Sequence, residues 1–103
     1  MGDAVSAADK LREARKLIER GWCQHHYAED AAGNIAEVGD DAAVAWCAAG
    51  ALWKAGTGIY EVGLMKRAIG GCATDAWNDA PGRTQAEVLA AFDRAIALAE
   101  AGE

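Results

Sequence analysis

The sequence predicts a mainly α fold, a small domain of four helices with a short β-hairpin between the first and second. Three observations carry this. Apolar residues recur at helical spacing near both ends of the chain. Glycines and the single proline divide the 103 residues into short elements. Between the first two helical patterns, Trp22, Cys23, His25, His26 and Tyr27 form a group of poor helix residues. A chain of this length is one domain, spanning residues 1–103.

The first helix is read over residues 6–20. Ser6 stands three residues before Asp9, the spacing at which its hydroxyl accepts from a first-turn N–H. Ala8, Leu11, Ala14 and Leu17/Ile18 make the apolar stripe, and Gly21 is read as a left-handed stop. The hairpin is read in GWCQHHYAEDAAGNIAEV, with strands near residues 22–27 and 35–38 around Gly33-Asn34. One face carries Trp22, Gln24 and His26, the other Cys23, His25 and Tyr27. Asp40 or Asp41 caps the next helix. Its sequence, DAAVAWCAAGALWKAG, is apolar nearly all round, which predicts a central, buried helix whose Ala48-Ala49-Gly50-Ala51 run lets another helix pass close by. A third helix follows Thr57-Gly58, with Ile59, Val62, Met65 and Ile69 at helical spacing and Gly70-Gly71 as terminator. Its interior Gly63 costs about 1 kcal/mol relative to alanine. CATDAWNDAPGRT reads as turn chemistry, with Pro81-Gly82 suited to a type II turn. In the last helix Thr84 and Glu87 form a reciprocal capping box ahead of a stripe of Val88, Leu89, Phe92, Ala95, Ile96 and Ala99.

Composition narrows the function classes. The chain is 52% hydrophobic, too apolar for disorder, yet only 7% aromatic, and about a quarter is alanine. Small side chains make a thin core, so self-association as a homodimer is expected to complete it. The uncharged stretch at residues 42–53 is roughly a dozen long, against the ~18 needed to span a bilayer. The start, MGDAVSAADKLREARK, lacks the apolar run of a secretory signal. Three cysteines, an odd number, point to a reducing cytoplasm rather than a disulfide framework. A net charge of −6 argues against direct nucleic-acid binding. Charge is also polarised: basic residues crowd into residues 10–20, and none falls in residues 21–53.

GWCQ, WCAAGAL and AWNDAPGRTQAEVLAAFDRAI together resemble an uncharacterised family of short proteins from bacteria and their phages, a domain of unknown function. The similarity spans about residues 14–99. Its most specific parts are Trp46-Cys47 with Gly50-Ala51-Leu52, and Trp77-Asn78-Asp79 with Arg83-Thr84 and Glu87-Val88. The resemblance implies a shared scaffold and a bacterial or phage origin, and transfers no catalytic role. His25-His26 depart from the small or apolar residues of that family, so a metal reading that uses them rests on this chain alone.

Cys23, His25, His26, Cys47 and Cys72 include zinc-ligand types, but the intervals between the cysteines far exceed the C-x₂₋₄-C spacing of structural zinc sites. Cys23-x-His25 is the one close pair, and no metal site or cofactor is assigned. A Cys–His nucleophile would use Cys47 with His25 or His26, oriented by Asn78 or Asp79. A helix starting at Asp41 puts Cys47 more than a turn inside it, which favours an inert thiol, so no catalytic residue is assigned. The four tryptophans either line a ligand pocket or fill gaps between alanine-rich helices.

Trp77, Asn78, Asp79 and Arg83 are the binding candidates, because a loop that groups Trp, Asn, Asp and Arg can recognise a partner. The same residues also suit turn and capping tasks, with Asp79 pairing Arg83 and Trp77 plugging the core. The expected function is a non-enzymatic accessory protein that binds another protein, an inhibitor of a host defence system being one specialisation. The alternative is a small enzyme or a zinc- or ligand-binding protein using Cys23, His25 and Cys47.

Overall fold

The two ends of the chain supply the frame. A computed structural model describes residues 6–102; residues 1–5, where a secretory signal would begin, and residue 103 lie outside the described residues. Helix α1, Ala7–Arg20, starts where Ser6 Oγ accepts from the Asp9 N–H at 3.1 Å, and it buries Ala8, Leu11, Ala14, Leu17 and Ile18. Helix α5, Gln85–Glu100, starts at the expected capping box, Thr84 and Glu87 each accepting from the other's N–H. Its buried face is Val88, Ala91, Phe92, Ala95 and Ile96. These stripes meet because α5 packs on α1, and Gln85 Nε2 donates to the Ile18 carbonyl at 2.7 Å to hold the crossing. Arg15 pairs with Asp93 at 2.8 Å on the solvent side, a contact of small energetic weight.

Helix α3, Ile59–Ala68, packs on the other flank of α5. Glu61 accepts from the Gly58 N–H at 2.6 Å, and Gly70 and Gly71, both at positive φ, stop the helix as expected. Leu64 and Met65 carry its burial. Ile59, expected in the stripe, is 94% exposed because the first turn extends past the core.

The hairpin lies between α1 and the next helix, but other residues make it. Strand β1, Ala28–Asp30, pairs antiparallel with β2, Ala43–Trp46, matching Ala28 with Trp46 and Glu29 with Ala45. Gly33-Asn34 does turn the chain, held by Asp30 Oδ1 accepting from the N–H groups of Ala32 and Asn34. The returning segment then makes one bridge, Ile35 to Glu29, instead of the expected strand at residues 35–38. Residues 22–27 likewise form a looping segment with one bridge, Trp22 to Trp46.

Helix α2 is Ala48–Lys54, shorter than expected. Asp40 instead closes a turn, its carboxylate accepting from Ala42 N–H at 2.9 Å, and AVAW runs as the strand. Cys47, expected inside the helix, is its N-cap, with Sγ accepting from the Gly50 N–H at 3.3 Å. The backbone that passes Gly50 is strand-side rather than helical: a Cβ there would lie 2.0 Å from the Tyr27 carbonyl oxygen. Gly21 has the same duty, since its Cβ would meet Val44 O at 2.2 Å; its φ of −179° is extended, not the left-handed stop expected. Residues expected to be a turn include a short helix α4, Thr74–Asn78, followed by the Pro81-Gly82 turn with Gly82 at φ +81°. Among the described residues, no helix is long and apolar enough to cross a membrane.

Two glycines should therefore respond oppositely to alanine. Gly50→Ala forces backbone atoms apart and is expected to lower stability by at least about 1–3 kcal/mol. Gly63→Ala, in open space within α3, should raise it by roughly 0.5–1 kcal/mol. Urea unfolding of the two variants beside the parent checks both signs.

Candidate functional site

Asn78, at the end of α4, is fully buried and spends its whole amide on neighbours. Its Oδ1 accepts from Trp22 Nε1 at 2.7 Å and from the Ala48 N–H at 2.9 Å. Its Nδ2 donates to the Cys23 carbonyl at 3.1 Å and to Asp79 Oδ1 at 3.0 Å. One side chain thus ties α4 to the segment after α1 and to the first turn of α2. Asp79 Oδ1 also accepts from the His25 N–H at 2.8 Å, and Gln24 Nε2 donates to the carbonyls of Asn78 and Ala80.

The other two binding candidates are used in the same way. The Arg83 guanidinium stacks 4.0 Å from the Trp77 ring centre, and its Nε donates to the Trp77 carbonyl at 3.0 Å. Arg83 approaches Glu87 at 3.6 Å rather than pairing with Asp79. The four residues are together in space, and their polar groups hold the fold.

What this clamp shapes is the segment from Cys23 to Tyr27. Cys23 N–H donates to Trp46 O, and Tyr27 O accepts from the Cys47 N–H, so both ends are fixed to the β2 side. Between them His25 has φ +77°, the one non-glycine left-handed residue among those described, held by its bond to Asp79. That reversal brings His26 back over Cys23. Cys23 Sγ donates weakly to the His26 carbonyl at 3.5 Å, and His26 Nε2 lies 2.5 Å from Glu29 Oε2. Donor atoms of Cys23, His26 and Glu29 all fall within 4.8 Å of one another. Cys23, His25 and Cys47 are thus not the set that converges: His26 takes the place of His25, and Glu29 that of Cys47.

Cys47, His25 and His26 do share a cleft of about 170 Å³ with Tyr27, Asp75 and Asp79. Among the described residues no histidine ring is bonded to the Cys47 thiol, which is turned to the Gly50 N–H. Burial pushes the Cys47 thiol above its usual range, against the lowering effect of the Gly50 and Ala49 N–H groups. Cys23 is pushed up to about 12, by burial first and then by the charges of Glu29, Cys47 and Asp79. Both shifts favour the protonated thiol over the thiolate that a Cys–His reaction uses.

A larger groove, about 660 Å³, opens on the other side of the histidines. Tyr27, Ile35, Val38 and Trp53 supply its apolar walls. Tyr27 and Trp53 meet edge to face at 5.7 Å, yet Trp53 stays 65% exposed and Ile35 75%. The sequence places Ile35 only in a strand and does not single out Glu29, because a lone carboxylate three residues after a histidine is no specific ligand pattern.

Loss of the clamp should be costly. Asn78→Ala leaves Trp22 Nε1, the Ala48 N–H and the Cys23 carbonyl without their partner, and is expected to destabilise by about 2–4 kcal/mol in chemical denaturation. Asn78→Asp should not rescue, because its carboxylate would face the Cys23 carbonyl and Asp79. For the thiols, alkylation of the folded protein at neutral pH should modify exposed Cys72 and spare Cys23 and Cys47. The raised Cys23 value favours the folded state below pH 9, and that contribution is lost as pH rises from 9 towards 12. Stability measured across that window should fall less steeply in Cys23→Ala.

Neither the curated proteins nor the solved structures yield a match to this chain. The model of a family of unknown function, DUF6197, matches residues 3–98. That match covers nearly the whole sequence, and the chain belongs to this family.

Proposed function

We propose that the protein is a non-enzymatic binding module that takes a short apolar segment of another protein into the groove beside Tyr27 and Trp53. The observation that carries this reading is the pairing of that groove with two aromatic walls and an exposed Ile35. Grooves of a few hundred Å³ with Trp and Tyr at the centre are where interfaces concentrate their binding energy. Charge favours a basic partner. Residues 21–53 contain Glu29, Asp30, Glu37, Asp40 and Asp41 and no lysine or arginine. Two of the basic side chains of α1 are engaged at home, Arg12 with Asp9 and Glu100, Arg15 with Glu19 and Asp93. An apolar anchor flanked by Lys or Arg suits this surface better than a second copy does. The resemblance to short bacterial and phage proteins supports an accessory role inside a bacterial host cytoplasm, and inhibition of a defence system is one form of it.

Selection of a displayed random-peptide library against the protein tests the reading. Enriched peptides should carry an apolar anchor with flanking basic residues. Their binding should drop at least about tenfold in Ile35→Asp and Trp53→Ala. Melting curves for both variants should match the parent. No enrichment, or binding indifferent to both substitutions, would sink the idea. Light scattering should give the mass of one chain at micromolar concentration; a dimer that Ile35→Asp dissociates would assign the groove to a second copy instead.

A further inference from the structure

We infer that Cys23, His26 and Glu29 form a binding site for a single zinc ion. The inference goes beyond peptide binding and rests on different atoms. The three donors are a thiol sulfur, an imidazole nitrogen and a carboxylate oxygen, the mixed set that zinc accepts. Their mutual separations, all within 4.8 Å, bracket the requirement. Zinc bonds of 2.0–2.3 Å at tetrahedral angles put ligand atoms about 3.4–3.6 Å apart. Binding therefore asks His26 and Glu29, now 2.5 Å apart, to open by about 1 Å, and the separations to Cys23, at most 4.8 Å, to close by no more than about 1.2 Å. Both side chains retain partial exposure, so rotation about their χ angles supplies that movement.

The backbone beneath the donors is already set. Cys23 is held through its N–H by Trp46 and through its carbonyl by Asn78, Glu29 is paired in the strand with Ala45, and His25 is locked in its left-handed turn by Asp79. A structural or catalytic ion needs this kind of fixed support around its ligands. A left-handed histidine costs conformational energy, and the turn it makes is what returns His26 to the cysteine. Charge closes as well. A thiolate and a carboxylate neutralise the dication, with imidazole neutral, and the thiol proton passes to the buffer as the sulfur–zinc bond forms. Three protein ligands leave a fourth position for water, reached from the clefts that His26 lines.

The test uses the full chain with Cys72→Ser, so that the exposed thiol does not scavenge metal. Apo protein is titrated with zinc against a chromophoric chelator, and cobalt(II) is added separately as a spectroscopic substitute. The expected result is one equivalent of zinc, a melting temperature that rises with free zinc, and a cobalt spectrum with tetrahedral bands and a thiolate charge-transfer absorption. Cys23→Ala should abolish that absorption. His26→Ala and Glu29→Gln should each weaken zinc binding by tenfold or more, while His25→Asn, which tolerates the left-handed backbone, should leave it within twofold. Substoichiometric zinc in the parent, a cobalt spectrum without thiolate absorption, or affinity unchanged in both His26→Ala and Glu29→Gln would overturn the assignment. The cobalt spectrum and the Glu29→Gln titration keep the test decisive even where Cys23→Ala fails to fold.

Discussion

A single buried amide organises the middle of this protein. Asn78 has four hydrogen-bonding positions, and three chain segments converge to fill them. An amide buried without partners is strongly unfavourable, so satisfying Asn78 ties α4, the Trp22–Cys23 segment and the start of α2 into one arrangement. This also explains why α2 begins at Ala48. The Ala48 N–H is met by Asn78 and the Gly50 N–H by the Cys47 sulfur, so first-turn donors that need partners find them there and not seven residues earlier at Asp41.

The second constraint is steric. Gly21 and Gly50 stand where the backbones of Val44 and Tyr27 come within contact distance, so the hairpin is wedged between the end of α1 and the first turn of α2. No side chain fits at either point. Close approach of this kind places Tyr27 beside Trp53, and the same wedging puts Trp46 in the core with its Nε1 donating to the Val38 carbonyl at 3.0 Å. The alanine-rich composition thus serves strand-to-helix contact at α2 as much as helix-to-helix contact at α1 and α5.

The groove and the Cys23–His26–Glu29 cluster are consequences of these constraints. The Asn78–Asp79 pair bends the chain through His25, which presents His26 to Cys23 and Glu29 on one side and leaves a groove on the other. Trp77, Asn78, Asp79 and Arg83 were the legible candidates, since Trp, Asn, Asp and Arg in one loop mark recognition sites. Their polar groups bond within the fold, and the segment they support lines the groove beside Tyr27 and Trp53. Cys23, His26 and Glu29 follow one another at intervals of three in a segment that is neither helical nor regularly extended, so no periodicity announces that they meet.

What the sequence alone determined are the elements made by local interactions. Helices α1, α3 and α5 follow from apolar residues three and four apart and from caps such as Ser6 and Thr84–Glu87, all contacts within one or two turns. The mainly α class and the presence of a hairpin after α1 were legible on the same basis. Tertiary structure decided which residues between 21 and 54 became strand. AVAW carries no unambiguous helical or alternating signal, and its pairing with Ala28–Asp30 depends on residues distant in sequence. It likewise decided that Cys47 caps a helix instead of lying inside one, and that His26 rather than His25 meets Cys23. Those outcomes depend on where Asn78 and Asp79 arrive from the far end of the chain, and no local pattern encodes that arrival.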